Sequence, residues 1–417
     1  MRVEGDHPPR SSASLTQRRQ YLLAALGSLA GGLFQPRAAV ASQPALPSCS
    51  ASAKSTWADW LSYKSRFIQS DGRVIDFSTP EQQSTSEGQV YTLFFALVAN
   101  DRAIFERVLA WTQSNLAGND LTARLPAWKW GRRPDNTWGV LDPNGASDAD
   151  LWLAYTLLEA ARYWQEPRYA ALGSSVMALI EKKLFVTVPG LGIMLLPGEQ
   201  GFKVTDKTGL TRWRFNPSYL PPFKLRYFSA KSRSQSWIQL EKNSLTLLRQ
   251  TTQQGYAADW VTYQVSATGE GQWLAADTEK GPIGSYDAIR VYSWLGMSAG
   301  LWSSREKQQW LQLYRGMQQA LQTNLAPPRL VNLQTGQQQE EGGVGFSAAL
   351  LPYLSAWPEA RLLAQQQTRI EALWDGSPAR VQSWNYYDAV LLLFGRGWLE
   401  KRFRFQRDGA LQLRGAC

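Results

Sequence analysis

Apolar residues recur at three- and four-residue spacing through most of the chain beyond residue 57, a pattern typical of helices that bury one face. Several of these segments begin at or just after Ser, Asp or Pro, and turn residues separate them. Strand-like pieces are short, and no strand–helix alternation indicates a parallel sheet. The pattern predicts helices at residues 91–99, 103–116, 149–164, 170–182, 236–251, 287–297, 305–321, 345–354, 360–373 and 387–399, and strands at residues 193–196, 212–215, 260–263 and 272–275.

This periodicity predicts an all-α fold with short β excursions in the loops. No linker rich in Ser, Gly or Pro divides the region after residue 57, so we expect residues 57–417 to form a single catalytic domain. Ten or more helices in one compact domain favour inner and outer helices that pair and close into a ring, an α/α toroid. Residues 42–56, which are rich in Pro and Ser, are predicted to be a spacer.

Residues 1–41 are predicted to be a cleavable bacterial export signal, which implies a periplasmic or secreted protein. Arg18 and Arg19 precede an apolar run at residues 21–34, and residues 39–41 (Ala-Val-Ala) have the form of a signal-peptidase site. Residues 17–22 resemble a twin-arginine signal, with an ordinary secretory signal as the alternative. The run is short and rich in Gly and Ala, and no later segment has the roughly 20 apolar residues of a spanning helix, so we expect no stable membrane insertion of the mature chain.

The two cysteines lie near the two ends of the predicted domain, at Cys49 and Cys417. An exported chain can keep a disulfide, and the sequence leaves open whether these two residues are close enough to form one. A lipid anchor at Cys49 is the weaker alternative, because Pro47 and the distance from the apolar run fit it poorly. The exact cleavage site and the export route also stay open.

Charge and histidine content exclude several functions. The formal net charge of +10 falls to about +7 without the leader, and no run of Lys and Arg indicates a nucleic-acid partner. His7 is the only histidine of the sequence, and it lies in the leader. This excludes a Ser-His-Asp triad, a Cys-His pair and an imidazole-bound zinc. We therefore expect an enzyme without cofactor or metal whose protons are carried mainly by carboxyl groups.

Three acidic positions lie near predicted helix starts: Glu87, Asp148 with Asp150, and Asp287. Structural explanations exist for each of them, because residues 84–87 and 147–150 both resemble a capping box and an acid in a first turn complements the helix dipole. The functional alternative is a pair of carboxyls across a groove. Cleavage of a glycosidic bond needs one protonated acid at the leaving oxygen and one ionised carboxylate, with a third acid near the sugar. Inner helices of a toroid point their ends at a common cleft, where such acids could converge.

Nineteen tryptophans are far more than a chain of this length usually holds. Most of those inside predicted helices are explained by packing. Trp128 and Trp213, however, lie in predicted loops or strand ends beside Lys or Arg, where an indole ring can stack on a sugar. The alternative is a loop packed down on the domain surface, and the sequence leaves both explanations open.

Four short segments of the sequence together resemble motifs of glycoside hydrolase family 8. Residues 146–154 (Ala-Ser-Asp-Ala-Asp-Leu-Trp-Leu-Ala) are similar to the family signature, and residues 85–89, 216–219 and 285–290 are similar to its other motifs. The resemblance runs from about residue 57 to residue 405. Within the family, residues 125–128, 188–192 and 214–222 resemble the endoglucanases encoded together with bacterial cellulose synthase.

The resemblance implies an (α/α)6 barrel, endo-acting hydrolysis of β-1,4-glucan and inversion at the anomeric carbon. By position, Glu87 matches the general acid, Asp287 the general base and Asp148 the acid that contacts the sugar at the cleavage point, while Asp150 is expected to cap and orient its helix. Glu87 should then have a raised pKa, and the two catalytic carboxyls should lie about 6.5–9.5 Å apart. The residues expected to bind substrate are Tyr219, Arg290, Trp128, Trp213 and Tyr286.

The expected partners are a β-1,4-glucan chain and the cellulose synthase complex, with a role in bacterial cellulose biosynthesis. A xylanase, a chitosanase or a mixed-linkage glucanase of the same family is an alternative, as is a non-catalytic glucan-binding scaffold. A polysaccharide lyase on a similar toroid is less consistent, because lyases favour Tyr with His or Arg. Chain-length preference and oligomeric state are not indicated by the sequence.

Overall fold

The computed structural model describes residues 57–232, 234–374 and 384–414. The predicted leader, the spacer and both cysteines lie outside these residues. The described part contains thirteen α-helices and fourteen short strands. The helices are α1 (Ala58–Phe67), α2 (Ser86–Val98), α3 (Arg102–Leu116), α4 (Ser147–Trp164), α5 (Pro167–Leu184), α6 (Pro222–Ser232), α7 (Gln235–Gln250), α8 (Ala288–Met297), α9 (Ser304–Leu313), α10 (Arg315–Thr323), α11 (Val344–Ser355), α12 (Arg361–Leu373) and α13 (Tyr386–Leu399).

Six of these helices form an inner layer that is buried on nearly every side: α2, α4, α6, α8, α11 and α13. All ten residues of α8 are buried, and so are eleven of the thirteen in α2. A helix that is apolar all round is stable only when other elements surround it. The remaining helices bury a single stripe, as α3 and α7 do, and therefore form the outer layer.

The inner helices contact one another in chain order, from α2 to α4, α6, α8, α11 and α13. Aromatic contacts between α13 and α2 close the circle of inner helices. The ring centroid of Phe394 in α13 lies 5.1 Å from that of Tyr91 and 5.8 Å from that of Phe94 in α2. Each inner helix packs against an outer partner, with α9 and α10 together filling one outer position and α1 covering α13. The architecture is the expected (α/α)6 barrel.

Large aromatic side chains fill the middle of the barrel. Trp152 of α4 lies 5.7 Å from Trp294 of α8, 5.4 Å from Phe394 of α13 and 4.8 Å from Phe94 of α2, measured between ring centroids. These rings are fully buried or nearly so. The barrel axis is therefore a packed core, and open space is left at the ends of the inner helices.

Twelve of these strands lie in the connections between helices and the last two follow α13, and every strand pairing in the described residues is antiparallel. A three-stranded sheet joins β1, β2 and β3 in front of α2, and a four-stranded sheet joins β6 to β9. The strands are β1 (Ser84–Thr85), β2 (Lys129–Arg132), β3 (Trp138–Asp142), β4 (Phe185–Val188), β5 (Gly192–Leu195), β6 (Lys203–Thr205), β7 (Thr211–Phe215), β8 (Val261–Val265), β9 (Gly271–Trp273), β10 (Ile283–Gly284), β11 (Pro328–Asn332), β12 (Gln338–Glu341), β13 (Phe403–Phe405) and β14 (Leu411–Leu413).

The predicted helix at residues 305–321 is wrong, because it is two helices with a break at Tyr314. The backbone N–H of Gly316 donates to the carbonyl of Gly255 at 3.0 Å, so a neighbouring loop replaces a bond within the helix. The hydrophobic pattern also misses two helices, α1 and α6. In α6 the buried residues include Lys224, so no simple apolar stripe marks this helix in the sequence. In the described part of the chain, no helix has both the length and the apolar character needed to cross a bilayer.

Candidate active site

The N-terminal ends of inner helices α2, α4 and α8 meet at one cavity of about 240 Å³. A short 3-10 turn at Pro217–Tyr219 and the first turn of α13 complete its wall. The polar and aromatic side chains that line this cavity include Glu87, Trp128, Asp148, Tyr219, Tyr286, Asp287, Arg290 and Tyr387. We call this space the acidic cavity.

Arg290 lies in the middle of the three acids and is only 3% exposed. Its Nη1 atom donates to Oδ2 of Asp148 at 3.1 Å and also contacts the carboxyl of Glu87, while its Nη2 atom donates to Oδ1 of Asp287 at 2.6 Å. Tyr91 provides a further partner, with its hydroxyl 3.2 Å from Nη1. A single planar guanidinium therefore fixes the positions of the three carboxyl groups relative to one another.

Glu87 is in the first turn of α2, but its side chain does not cap the helix. The N-cap is Thr85, whose hydroxyl accepts the backbone N–H of Gly88 at 3.0 Å, so the predicted capping box at residues 84–87 is not formed. Burial raises the pKa of Glu87 to about 8; Asp148 and Asp287 add to this effect, and Arg290 opposes it. Glu87 is therefore protonated at neutral pH, as the general acid of a glycosidase must be.

Asp287 is the N-cap residue of α8, yet its carboxyl makes no capping bond. Asp259 takes that task, since its Oδ1 accepts the backbone N–H groups of Ser285 at 2.7 Å and Ala288 at 2.8 Å. The neighbouring Trp260 donates its indole N–H to Oδ2 of Asp287 at 3.0 Å. Burial and the nearby Asp287 raise the pKa of Asp259 to about 7. The carboxyl of Asp287 is thus free of the helix backbone and is held by Arg290 and Trp260.

Asp148 and Asp150 both lie in the first turn of α4, and they have different surroundings. The carboxyl of Asp148 accepts a hydrogen bond from Arg290. The ammonium group of Lys224 lies 3.5 Å from the backbone carbonyl of Asp148. Burial lowers the pKa of Lys224 well below its usual value. Asp150 is fully buried, and among the described residues neither of its carboxyl oxygens has a hydrogen-bond partner. The predicted cap by Asp150 with Ser147 is therefore wrong, and burial raises the pKa of Asp150 well above its usual value.

The predicted aromatic residues divide into two groups. Trp128, Tyr219 and Tyr286 line the acidic cavity, and Tyr286 is 49% exposed. Trp213 does not belong there, because it lies in β7 of the four-stranded sheet, is 4% exposed and is absent from the cavity wall. A ring buried in this way presents no face to a sugar in the acidic cavity, so the stacking role predicted for Trp213 is not supported.

Sequence reasoning misses several residues at the site. Tyr387 lines the cavity and donates its hydroxyl to the carbonyl of Tyr286 at 2.5 Å. Asp259 and Trp260 hold Asp287 and its helix from a position more than twenty residues away in the chain. The hydrophobic pattern predicts their segment only as the start of a strand, and nothing in it indicates contact with α8.

Comparisons with known proteins show which family the chain resembles. The family model described as glycosyl hydrolases family 8 matches residues 33–401. An endoglucanase of Escherichia coli K12 is 44% identical over 375 residues, which are 90% of this chain and 96% of the relative. The endoglucanase of Xanthomonas axonopodis pv. citri is 43% identical over 356 residues, 85% of this chain and 88% of the relative.

Solved structures show the same similarity. The endo-1,4-D-glucanase from Vibrio fischeri ES114 superposes with a TM-score of 0.78 and 38% identity, over 86% of this chain and 99% of the other. The endo-beta-1,4-glucanase CMCax from Acetobacter xylinum superposes with a TM-score of 0.64 and 25% identity, over 81% of this chain and 95% of the other. The chain belongs to glycosyl hydrolase family 8.

Proposed function

We propose that this protein is an endo-acting β-1,4-glucanase that cleaves its substrate by a single displacement with inversion at the anomeric carbon. The names of its relatives support hydrolysis of a β-1,4-glucan, since the two Escherichia coli and the Xanthomonas proteins are all endoglucanases. The solved relatives from Vibrio and Acetobacter are endo-1,4-glucanases as well. Residues 57–417 form the catalytic domain in this proposal.

One observation supports the division of roles most directly: the pKa of Glu87 is raised to about 8, and two further acids share Arg290 with it. Glu87 acts as the general acid and gives its proton to the leaving oxygen. Asp287 acts in its carboxylate form and takes a proton from the water that attacks the anomeric carbon. The glycosidic bond breaks as the new carbon–oxygen bond forms on the opposite face of the sugar.

Asp148 and the residues around Arg290 serve the reacting sugar. Asp148 lies in the first turn of α4 on the wall of the acidic cavity, where a carboxylate favours the positive character that develops at the anomeric carbon. Tyr219 and Arg290 line the same cavity, and we assign them to the surroundings of the attacking water. Trp128 and Tyr286 offer ring faces along the cavity wall.

The cellular setting is also part of the proposal. The twin-arginine-like leader supports export to the periplasm or the exterior, and the segments that resemble the cellulose-synthase-associated subgroup support a role in bacterial cellulose biosynthesis. The glucan chain would then be newly made cellulose, and the synthase complex would be a partner.

Proton NMR of the first product released from a cello-oligosaccharide tests reaction and stereochemistry together. Inversion of a β-linkage gives the α-anomer before mutarotation, whereas the β-anomer as the first product would refute single displacement. Glu87→Gln and Asp287→Asn should each reduce hydrolysis of a soluble cellulose derivative by several orders of magnitude while the protein stays folded. Higher turnover on xylan, chitosan or mixed-linkage glucan than on the cellulose derivative would favour an alternative substrate.

A further inference from the structure

A second cavity, lined in part by the strand that follows Trp128, contains a group of aromatic rings that the proposed chemistry does not use. It has a volume of about 600 Å³, and its wall includes Trp111, Trp130 and Trp138. The rings of Trp130 and Trp138 are nearly parallel, with an interplanar angle of 18° and centroids 5.4 Å apart. Trp138 is 43% exposed, so it presents a large apolar face to solvent.

Neighbouring side chains hold the rings of Trp130 and Trp138 in place. Trp111 of α3 packs edge-on against Trp130 at 5.3 Å, and the guanidinium of Arg73 lies 4.4 Å from the ring centre of Trp130 and 4.6 Å from that of Trp138. Arg73 is itself fixed, because its Nε atom donates to the hydroxyl of Ser84 at 2.9 Å. The aromatic surface made by Trp111, Trp130, Trp138 and Arg73 is called the tryptophan platform below.

The backbone that carries the tryptophan platform is paired with the backbone next to the acidic cavity. Ser84 of β1 pairs with Trp130 of β2, and two residues further the backbone N–H of Ser86 donates to the carbonyl of Trp128 at 3.0 Å. Trp128 lines the acidic cavity, and Ser86 directly precedes Glu87. Two residues along a strand span about 7 Å, so Trp128 of the acidic cavity and Trp130 of the platform are close enough for one extended sugar chain to contact both.

The chemistry of the platform fits a sugar chain. A pyranose ring has apolar C–H faces and hydroxyl groups at its edge, so it needs flat aromatic surfaces with polar side chains beside them. The platform supplies the rings, and Asp71, Ser114 and Asn115 on the same cavity wall supply polar groups. We propose that the tryptophan platform is a second glucan-binding site, which holds the β-1,4-glucan chain beyond the acidic cavity and makes the enzyme prefer long chains. This proposal rests on the proposed glucanase function.

Chain-length dependence of kcat/KM tests the platform. Trp138→Ala should lower the ratio of kcat/KM for cellohexaose to kcat/KM for cellotetraose about 3- to 10-fold, because the longer substrate loses a stacking contact. Trp138→Tyr keeps an aromatic ring and should retain most of the ratio. Leu325→Ala is the matched control, since Leu325 is an exposed apolar residue away from both cavities. An unchanged ratio in Trp138→Ala, or an equal fall in Leu325→Ala, would overturn the proposal.

A binding measurement separates the platform from the proposed reaction. In the Glu87→Gln protein, cellohexaose should protect Trp138 from oxidative labelling more strongly than cellotetraose does. Full labelling of Trp138 at saturating cellohexaose would reject the platform even if wild-type enzyme hydrolyses glucan. Protection by cellohexaose without any hydrolysis by wild-type enzyme would support the platform and reject the glucanase.

Discussion

Replacing Glu87 by glutamine should stabilise the folded protein at neutral and alkaline pH, although it removes the proposed general acid. The pKa of Glu87 is raised from 4.5 to about 8, chiefly by burial. Between these two values the unfolded chain releases the proton and the folded protein keeps it. The folded state then binds more protons than the unfolded state, so its stability falls as pH rises. A glutamine side chain at this position carries no charge in either state and avoids this loss, while its amide oxygen can still accept a hydrogen bond from Arg290.

The size of the effect follows from the two pKa values. Each unit of difference between the pKa of the folded state and the pKa of the unfolded state corresponds to about 1.36 kcal/mol of folding free energy. At pH 7 the unfolded state therefore gains roughly 3 kcal/mol by ionising Glu87, and near pH 8 the gain approaches about 4 kcal/mol. At pH 5 it is below about 1 kcal/mol, and at lower pH it vanishes because both states are protonated.

Urea denaturation of wild type and Glu87→Gln at a series of pH values measures this difference. The variant should be more stable by about 3 kcal/mol at pH 7, with the two curves converging below pH 5. Glu306→Gln is a matched control of opposite sign, because hydrogen bonds from Ser303 lower the pKa of Glu306 and a neutral glutamine accepts the same bonds more weakly. A difference between wild type and Glu87→Gln that does not depend on pH would refute the reasoning.

Three further results are expected. Activity of wild type should fall as pH rises through about 8, where Glu87 loses its proton, and a kcat/KM profile that stays flat from pH 7 to pH 9 would contradict its role as the acid. Trp260→Phe should lower kcat about tenfold with little change in melting temperature, because Asp287 loses the indole N–H while a ring still stacks on Phe202; unchanged kcat would argue against a positioning role. Gly395→Ala should destabilise the fold by about 3 kcal/mol in urea denaturation, because a methyl group would overlap the carbonyl of Ala348, whereas Gly300→Ala faces open space and should change little.

The hydrophobic pattern predicts inner and outer helices well where their apolar faces are regular, and it is weakest where tertiary contacts replace local ones. Helix α2 begins at Ser86, five residues before the predicted start at residue 91, because its first turn is polar and is fixed by the hydroxyl of Thr85. The pattern does not predict the hairpin of β2 and β3, since its residues alternate poorly and Gly131 pairs with Gly139 in its centre. Such strands exist because they pair with each other and cover the end of the barrel.

The candidate site likewise contains residues that short motifs predict and residues that only tertiary contacts bring together. Each acid can be found from its own short motif, and the structure places Glu87, Asp148 and Asp287 around one guanidinium. The residues that hold Asp287 and the start of its helix cannot be found in this way, because Asp259 and Trp260 lie just before β8 and reach α8 only through tertiary contacts. The local sequence around Trp213 suggests an exposed ring, whereas pairing of β7 with its neighbours buries it.

Burial is the main cause of the raised pKa of Glu87, and the number of charges in the acidic cavity adds to it. Three carboxyls face one guanidinium, and the other nearby base, Lys224, has a pKa lowered by its own burial. If all three acids were ionised, two negative charges would be left without a positive partner in a partly buried site, which is costly. A proton on one acid removes one of these two uncompensated negative charges. Asp148 and Asp287 each receive a hydrogen bond from Arg290 and a further donor, from the Ala149 N–H and the Trp260 indole respectively, so Glu87 is the acid that gains most from keeping its proton. The burial and the negative charge around Glu87, which weaken the fold as pH rises towards 8, therefore also keep a proton ready for the leaving oxygen.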